Sequence, residues 1–361
     1  MKLYEKIYND IKLKINAGEF DGRSLLPTEA ELQKKYGVSR ITVKHAYEKL
    51  AAENLVTRIA GKGTVINENR NISSNKIIGL VLCDFNSSFG MNLIKSMEKE
   101  AERLGYSIII KISKDNHETE SRVLAQLKSL NVSGIIIQNC HGEFTKNLIE
   151  LSINNFPLVS VDRYAKGLLI PSVTSDNFNA CMNVTEYLLN RGHRKILLAS
   201  VNPQNTSSLT ERIEGFKQAH INYDAALSYD NFVLNLKSPI TKDDNDIRAD
   251  VESIKGILDK SEITAIVATE QYVSELCSTA VSEMGKAFPE NYELICFDYE
   301  GDSLAESKYT YVLQNEEEMG IAAIRQLISQ IDDQSAAMRT VIKSKLIFGN
   351  STKNEINAES E

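Results

Sequence analysis

Residues 26–66 read LPTEAELQKKYGVSRITVKHAYEKLAAENLVTRIAGKGTVI, and their order of caps, turns and strands decides the fold of the N-terminal region. Thr28-Glu29-Ala30-Glu31 is a capping box, in which the Thr28 hydroxyl accepts from the Glu31 N–H while Glu31 reaches back. The helix it starts turns Leu32 and Tyr36 to the core. Gly37 supplies the tight turn, and Ser39 caps the next helix. On that helix Val43, Ala46, Tyr47 and Leu50 share one face. Arg40, Thr42, Lys44 and His45 lie off that face, near the helix start. Helix-turn-helix geometry puts such N-terminal residues in a DNA major groove. The segment TRIAGKGTVI predicts two short strands around Gly61-Lys62-Gly63, a hairpin with Lys62 at its tip. Its glycines let the backbone approach a phosphate or a minor groove. Upstream, Leu3, Ile7, Ile11 and Ile15 recur every four residues and stripe a first helix, which Gly18 is placed to end. Between residues 34 and 64 seven Lys/Arg stand against two Glu. Lys34 and Lys35 read as solvated charges.

The parts, in this order, resemble the GntR-type winged helix. The resemblance implies operator contacts from Thr28, Glu29, Ser39, Arg40, Thr42, Lys44, Gly61, Lys62 and Gly63, with Arg40 foremost in base readout. The chain departs from that family at Ala30, where a DNA-contacting arginine is usual. Lys44 replaces another arginine, keeping charge but losing the bidentate fork that reads guanine.

Charge distribution points the same way. Residues 1–66 hold 12 of the 41 Lys+Arg and 8 of the 49 Asp+Glu, a balance of +4; the remainder holds 29 and 41, a balance of −12. A basic module on an acidic body suits an anionic polymer as partner. The five cysteines, Cys83, Cys140, Cys181, Cys277 and Cys296, are scattered and form no CxxC pair. They read as reduced, buried thiols of a cytoplasmic protein, with no disulfide and no metal. The charged N-terminus lacks the apolar segment of a secretory signal. No apolar run approaches the roughly 20 residues of a membrane span.

The polar segment NENRNISSN (67–75) reads as a linker between a winged helix over 1–66 and a second domain over 76–350. STKNEINAESE (351–361) reads as a disordered tail. Between them, apolar runs alternate with amphipathic stretches: IIGLVL (77–82), SIIIKI (107–112), GIIIQ (134–138), PLVSVD (157–162), KILLAS (195–200), AIVAT (265–269) and LICFDY (294–299). Continuous apolar strands separated by helices predict an α/β fold with parallel sheets covered on both faces. Their number predicts two lobes with a cleft between them.

Residues 76–350 resemble the LacI/GalR-type regulatory domain, which shares its fold with periplasmic sugar-binding proteins. The matching stretches include FPLVSVDRY, RGHRKILLAS, SSLTERIEGF, LICFDYEG and YVLQNEEEMG. A GntR-type head on this body resembles the arabinose-repressor group. A sugar offers rim hydroxyls and apolar faces, so its cleft needs charged bidentate groups and an aromatic ring. Strand-end loops supply them: Asp162-Arg163, Arg212 at a helix start, Thr269, Asp298, Gln314 at a crossover, and Phe89 in the first strand–helix loop. By resemblance these are the ligand contacts. Ser87 and Gly90 thin the aromatic clamp relative to that family, and Thr269-Glu270 stands for its usual Asn-Asp. Asp176 and Asn177 read as caps of the following helix, with a hinge role as the alternative.

No GxSxG, HExxH, Walker A or GxGxxG occurs, so neither catalysis nor a cofactor is expected. Of His45, His117, His141, His193 and His220, no two have metal-ligand spacing, and His193 reads as structural. The expectation is a dimeric, sugar-responsive regulator gripping an inverted-repeat operator in double-stranded DNA, with no membrane partner. An activator, or a regulator answering to a purine or nucleoside, fits the same residues.

Overall fold

The computed structural model describes residues 3–16, 20, 25–52, 55–59, 63–66, 76–84, 90–140, 144–202, 206–224, 232–299, 307–332, 334 and 337–353. The linker segment 67–75, Gly18, Gly61, Lys62, Phe89 and residues 354–361 lie outside them. The chain divides into two compact units, Met1–Lys76 with Leu130–Ser133, and Ile77–Ser129 with Gly134–Glu361.

The first unit holds α1 (Leu3–Asn16), α2 (Glu29–Tyr36), α3 (Arg40–Ala52) and an antiparallel pair, β1 (Val56–Ile59) and β2 (Gly63–Ile66). The α1 stripe buries Ile7 and Ile11, while Leu3 stays 62% exposed at the helix end. Those side chains pack on Leu32, Val43, Ala46, Tyr47, Leu50 and Leu55. The Thr28–Glu31 capping box forms in both directions. Gly37 closes α2 at φ 64°, and a Cβ there would meet nothing within 4 Å, so backbone angle rather than space selects glycine.

The second unit contains two six-stranded sheets. Lobe 1 runs in the order β4 (Ser107–Ile112), β3 (Ile77–Leu82), β5 (Gly134–Ile137), β6 (Leu158–Val161), β7 (Ser172–Ser175) and β13 (Arg339–Ile342), all parallel. Its helices are α4 (Met91–Arg103), α5 (His117–Ser129), α6 (Lys146–Ile153) and α12 (Glu316–Ile331). Lobe 2 runs in the order β9 (Val233–Leu236), β8 (Ile196–Val201), β10 (Ala265–Ala268), β11 (Glu293–Phe297), β12 (Thr310–Leu313) and β14 (Lys345–Ile347). Only β14 is antiparallel to its neighbour. Its helices are α7 (Asn177–Asn190), α8 (Ser207–Tyr223), α9 (Ser238–Thr241), α10 (Asp244–Lys260) and α11 (Gln271–Glu283).

The central strands are uninterrupted apolar runs because both faces are covered. In lobe 2, Leu197, Ala199, Ile266 and Leu294 face one core, and Ile196, Leu198, Val267 and Ile295 face the other. The chain passes between the lobes three times, at β7–α7, β12–α12 and β13–β14. Asp176 joins the first and third passages: its carboxylate accepts from Ser344 N–H (2.9 Å) and Oγ (2.6 Å). The capping expected of Asp176 gives way to this tie, since its side chain makes no cap bond to α7. Helix α7 meets α8 closely at Gly215, where a Cβ would lie 2.2 Å from Phe178 O.

The C-terminal boundary also shifts. Ser351 and Thr352, placed by sequence in a disordered tail, are 1% and 2% exposed. Ser351 Oγ accepts from Thr310 N–H (2.8 Å) and donates to Leu294 O (2.6 Å), and Thr352 Oγ1 shares a hydrogen bond with Thr310 Oγ1 (2.6 Å). Small hydroxyl residues here tie the starts of β11 and β12, which hydropathy cannot register.

Candidate functional site

In the first unit Ser39, Arg40 and Thr42 lie at the start of α3, and Glu29 reaches it from the start of α2. Arg40 is 79% exposed in its side chain, and Ile41 beside it is 75% exposed. Ser39 Oγ accepts from Thr42 N–H (3.3 Å) and shares a hydrogen bond with Thr42 Oγ1 (2.9 Å), capping the helix as its sequence implies. Glu29 sits between two elements: its carboxylate accepts from Arg40 Nε (3.0 Å) and from Arg58 Nη2 on β1 (3.0 Å). Thr28 is occupied by its cap. Lys44 pairs with Glu48 at 3.6 Å along the helix. Gly63 begins β2 at φ 109°, a backbone angle open to glycine. Sequence reasoning missed Arg58 and Ile41. An exposed isoleucine at a helix N-terminus can meet a thymine methyl, the apolar mark of the major groove.

In the second unit the strand-end residues converge from both lobes. Arg212, on α8, is 3% exposed. Its Nη1 donates to Asp298 Oδ2 (2.9 Å) and to Thr269 O, and its Nε donates to Asn177 Oδ1 (2.9 Å). Its guanidinium carbon lies 4.2 Å from the Phe297 ring centroid. Gln314 Nε2 donates to Asp298 Oδ1. Two helices, α7 and α8, and the ends of three strands, β10, β11 and β12, thus fix one arginine–carboxylate pair. Thr269 Oγ1 donates to Ser200 Oγ (3.3 Å), and the Thr269 carbonyl holds Arg212.

Lobe 1 supplies Asp162 and Arg163. Gln138 Nε2 donates to Asp162 Oδ2 (2.9 Å), and Arg163 Nη1 donates to Asn139 O (3.2 Å). Asp162 and Asp298 each follow a central strand in the left-handed region, at φ 67° and 62°. Non-glycine residues adopt that conformation at a cost of about 1–3 kcal/mol, and it concentrates at functional sites. Burial pushes the Asp162 carboxyl up, with the Asp298 carboxylate adding to the shift and Arg163, the Gln138 bond and Arg212 opposing it. Burial also raises Glu270, again with Asp298 adding and Arg212, Lys242 and Arg163 opposing. These influences run between the lobes, from Asp298 and Arg212 of lobe 2 on Asp162 and from Arg163 of lobe 1 on Glu270. The lobes also touch directly: Tyr164 N–H donates to Ser207 Oγ (2.9 Å), and Arg339 pairs with Glu211.

Two buried acceptors around this cleft, Asn139 Oδ1 and Gln314 Oε1, have no hydrogen-bond partner among the described residues. Sequence reasoning missed Asn139 and Gln138, although they follow a central strand just as Asp162 does. It read Asn177 as a cap; the side chain instead anchors Arg212.

The comparisons agree with this architecture. Residues 3–66 match the family of bacterial regulatory proteins of the gntR type. Residues 75–273, more than half of the chain, match the family of periplasmic binding proteins and sugar binding domains of the LacI type. The chain is 23% identical to an arabinose metabolism transcriptional repressor of Geobacillus stearothermophilus, covering 97% of each. It is 27% identical to a ribose operon repressor of Halalkalibacterium halodurans, covering 89% of this chain and 94% of the relative. A LacI-type transcriptional regulator from Alkaliphilus metalliredigens QYMF, solved with D-xylulofuranose, superposes with a TM-score of 0.64 at 22% identity, over 77% of this chain and all of that one. Two six-stranded lobes joined by three passages, with charged strand ends facing across them, are how the chain belongs to the family of periplasmic binding proteins and LacI-type sugar binding domains, here behind a gntR-family DNA-binding domain.

Proposed function

We propose that the protein is a sugar-responsive transcriptional regulator, a repressor that a monosaccharide such as arabinose releases from its operator. The observation carrying this reading is the Asn177–Arg212–Asp298–Gln314 network of lobe 2, set opposite Asp162 and Arg163 of lobe 1. A buried arginine and carboxylate each bind two neighbouring hydroxyls, and exclusion of water strengthens those bonds. The unpartnered Asn139 and Gln314 oxygens accept from further hydroxyls of the sugar rim. Similarity to an arabinose metabolism repressor and a ribose operon repressor supports a pentose.

Ligand held from both sides favours one arrangement of the lobes over another. The three passages, the first and third of them tied through Asp176 and Ser344, carry that difference. Coupling between effector and operator of about 1–3 kcal/mol changes operator affinity several-fold to a hundred-fold. Two winged helices of a homodimer would grip a two-fold operator, with Arg40 reading bases and Lys44, Arg58, Lys62 and the Gly61–Gly63 backbone meeting phosphate or groove. This reading assigns no turnover, no cofactor, and a site of action at cytoplasmic DNA. Calorimetry against a panel of aldoses, ketoses and nucleosides tests it. A pentose is expected to bind and to release operator at the same concentration. Binding of nucleosides alone, with no sugar bound at millimolar levels, would overturn the assignment of Arg163, Arg212 and Asp298.

A further inference from the structure

Beside the charged cleft, lobe 1 gathers three groups that the proposed regulation does not use. Cys83 follows β3, Asp115 lies between β4 and α5, and Cys140 follows β5. Their donor atoms, two sulfurs and a carboxylate oxygen, lie within 4.8 Å of one another. Among the described residues this is the one cluster of three such donors.

The geometry suits a small thiophilic ion. Cys83 Sγ lies 3.6 Å from Asp115 Oδ1. Zinc bonds of about 2.3 Å to sulfur and about 2.0 Å to oxygen, at a tetrahedral angle, separate the two donors by roughly 3.5 Å. The donors are also held in place. Consecutive left-handed residues, Lys114 at φ 56° and Asp115 at φ 50°, turn the chain there. The buried Glu120 carboxylate accepts from Cys140 N–H (2.8 Å) and from Thr145 Oγ1 (2.9 Å), fixing the loop behind the second sulfur. Outer bonds of this kind orient metal ligands.

Charge is partly compensated, the Glu120 carboxylate beside Cys140 standing as a further negative charge outside the donor set. Two thiolates and a carboxylate carry three negative charges, and a divalent cation leaves one. Arg163 Nη1 stands 3.6 Å from both Cys83 Sγ and Asp115 Oδ1 and compensates it.

We propose that Cys83, Cys140 and Asp115 bind a divalent, thiophilic cation of the zinc class, with a fourth position open. Binding releases the two thiol protons and draws two neighbours away from Arg163. Occupancy therefore alters the lobe 1 half of the cleft; that consequence, unlike the site, rests on the sugar-cleft reading above.

The test uses reduced, metal-stripped full-length protein titrated with Co²⁺ and then Zn²⁺, without sugar. One cobalt per chain is expected, with a near-ultraviolet thiolate charge-transfer band that zinc abolishes. Cys83→Ser and Cys140→Ser should each lose the band, whereas Cys181→Ser, a buried thiol elsewhere, should keep it. Asp115→Asn, which keeps the shape of an exposed side chain and removes its charge, should keep a weakened band and lose about ten-fold in zinc affinity. Absence of a band in the parent protein, or a band unchanged in both Cys83→Ser and Cys140→Ser, overturns the site. Sugar affinity is a separate readout, so failure of the cleft reading leaves the metal result standing.

Discussion

The two units hold their functional cations in opposite ways. Arg40 of the winged helix is 79% exposed in its side chain and is tied by one carboxylate, Glu29, that it shares with Arg58. Arg212 of lobe 2 is 3% exposed and is tied by a carboxylate, a side-chain amide and a backbone carbonyl, with an aromatic ring beneath it. An exposed pair contributes about 0–1 kcal/mol and is easily exchanged for a phosphate. A buried, fully bonded cation is preorganised, and its directional bonds rather than its net charge select the ligand. Under the proposed function, one surface meets a polyanion and the other counts hydroxyls.

The largest expected effect separates them by ionic strength. Between about 50 and 200 mM salt, operator affinity should fall by about a thousand-fold or more, as counterion release requires. Sugar affinity over the same range should change less than about two-fold, because the buried pairs are little screened. Equal salt slopes in filter binding and calorimetry would break the comparison. Next, Asp298→Asn should weaken sugar binding by about a hundred-fold while operator binding persists, giving a repressor that sugar does not release. Reporter induction at parental sugar concentrations would mean that the cleft is misassigned. Arg40→Ala should reverse the pattern, costing operator binding about ten- to a hundred-fold in a mobility-shift assay and leaving sugar affinity intact. Asn177→Ala should cost sugar binding about ten-fold through the loss of one Arg212 anchor.

The smallest effect concerns stability. Glu100, 6% exposed, accepts from Arg103 Nε (2.7 Å) and Arg325 Nε (2.7 Å), joining α4 to α12. The Arg103 bond foremost, with Arg325 assisting, holds its carboxyl down at about 2. A depressed folded-state value means stabilisation that is full above the usual carboxylate value and fades as pH falls through about 2. Glu100→Gln should flatten the acid limb of a melting-temperature profile between those limits.

What the sequence disclosed follows the same division. All seven apolar runs are strands; six are buried, as the unbroken apolar signature of a parallel strand implies, and the edge strand β4 is only half-buried. Strand β7 escaped that reading: Ser172, Thr174 and Ser175 are polar yet at most 2% exposed. Strands β13 and β14 are short sheet edges with mixed burial. In the cleft, Asp162, Arg163, Arg212, Asp298 and Gln314 were legible as charged or amide residues at strand and helix ends. Asn177 was not, because its partnership with Arg212 depends on how closely α7 and α8 pack at Gly215. Cys83 and Cys140 looked scattered because parallel topology, rather than local spacing, brings the ends of β3 and β5 side by side.

The three passages between the lobes also order the birth of the molecule. The winged helix is contiguous and can close its own core as soon as it leaves the ribosome. Lobe 1 starts at Ile77 but receives its covering helix, Glu316–Ile331, and its last strand, Arg339–Ile342, after almost all of lobe 2 has been made. Until then the faces of α4, β5 and β6 that α12 covers stand open to chaperones and proteases. A nascent chain can therefore carry a finished DNA-reading head while its ligand sensor is still incomplete, and the two lobes of that sensor reach the native state almost together.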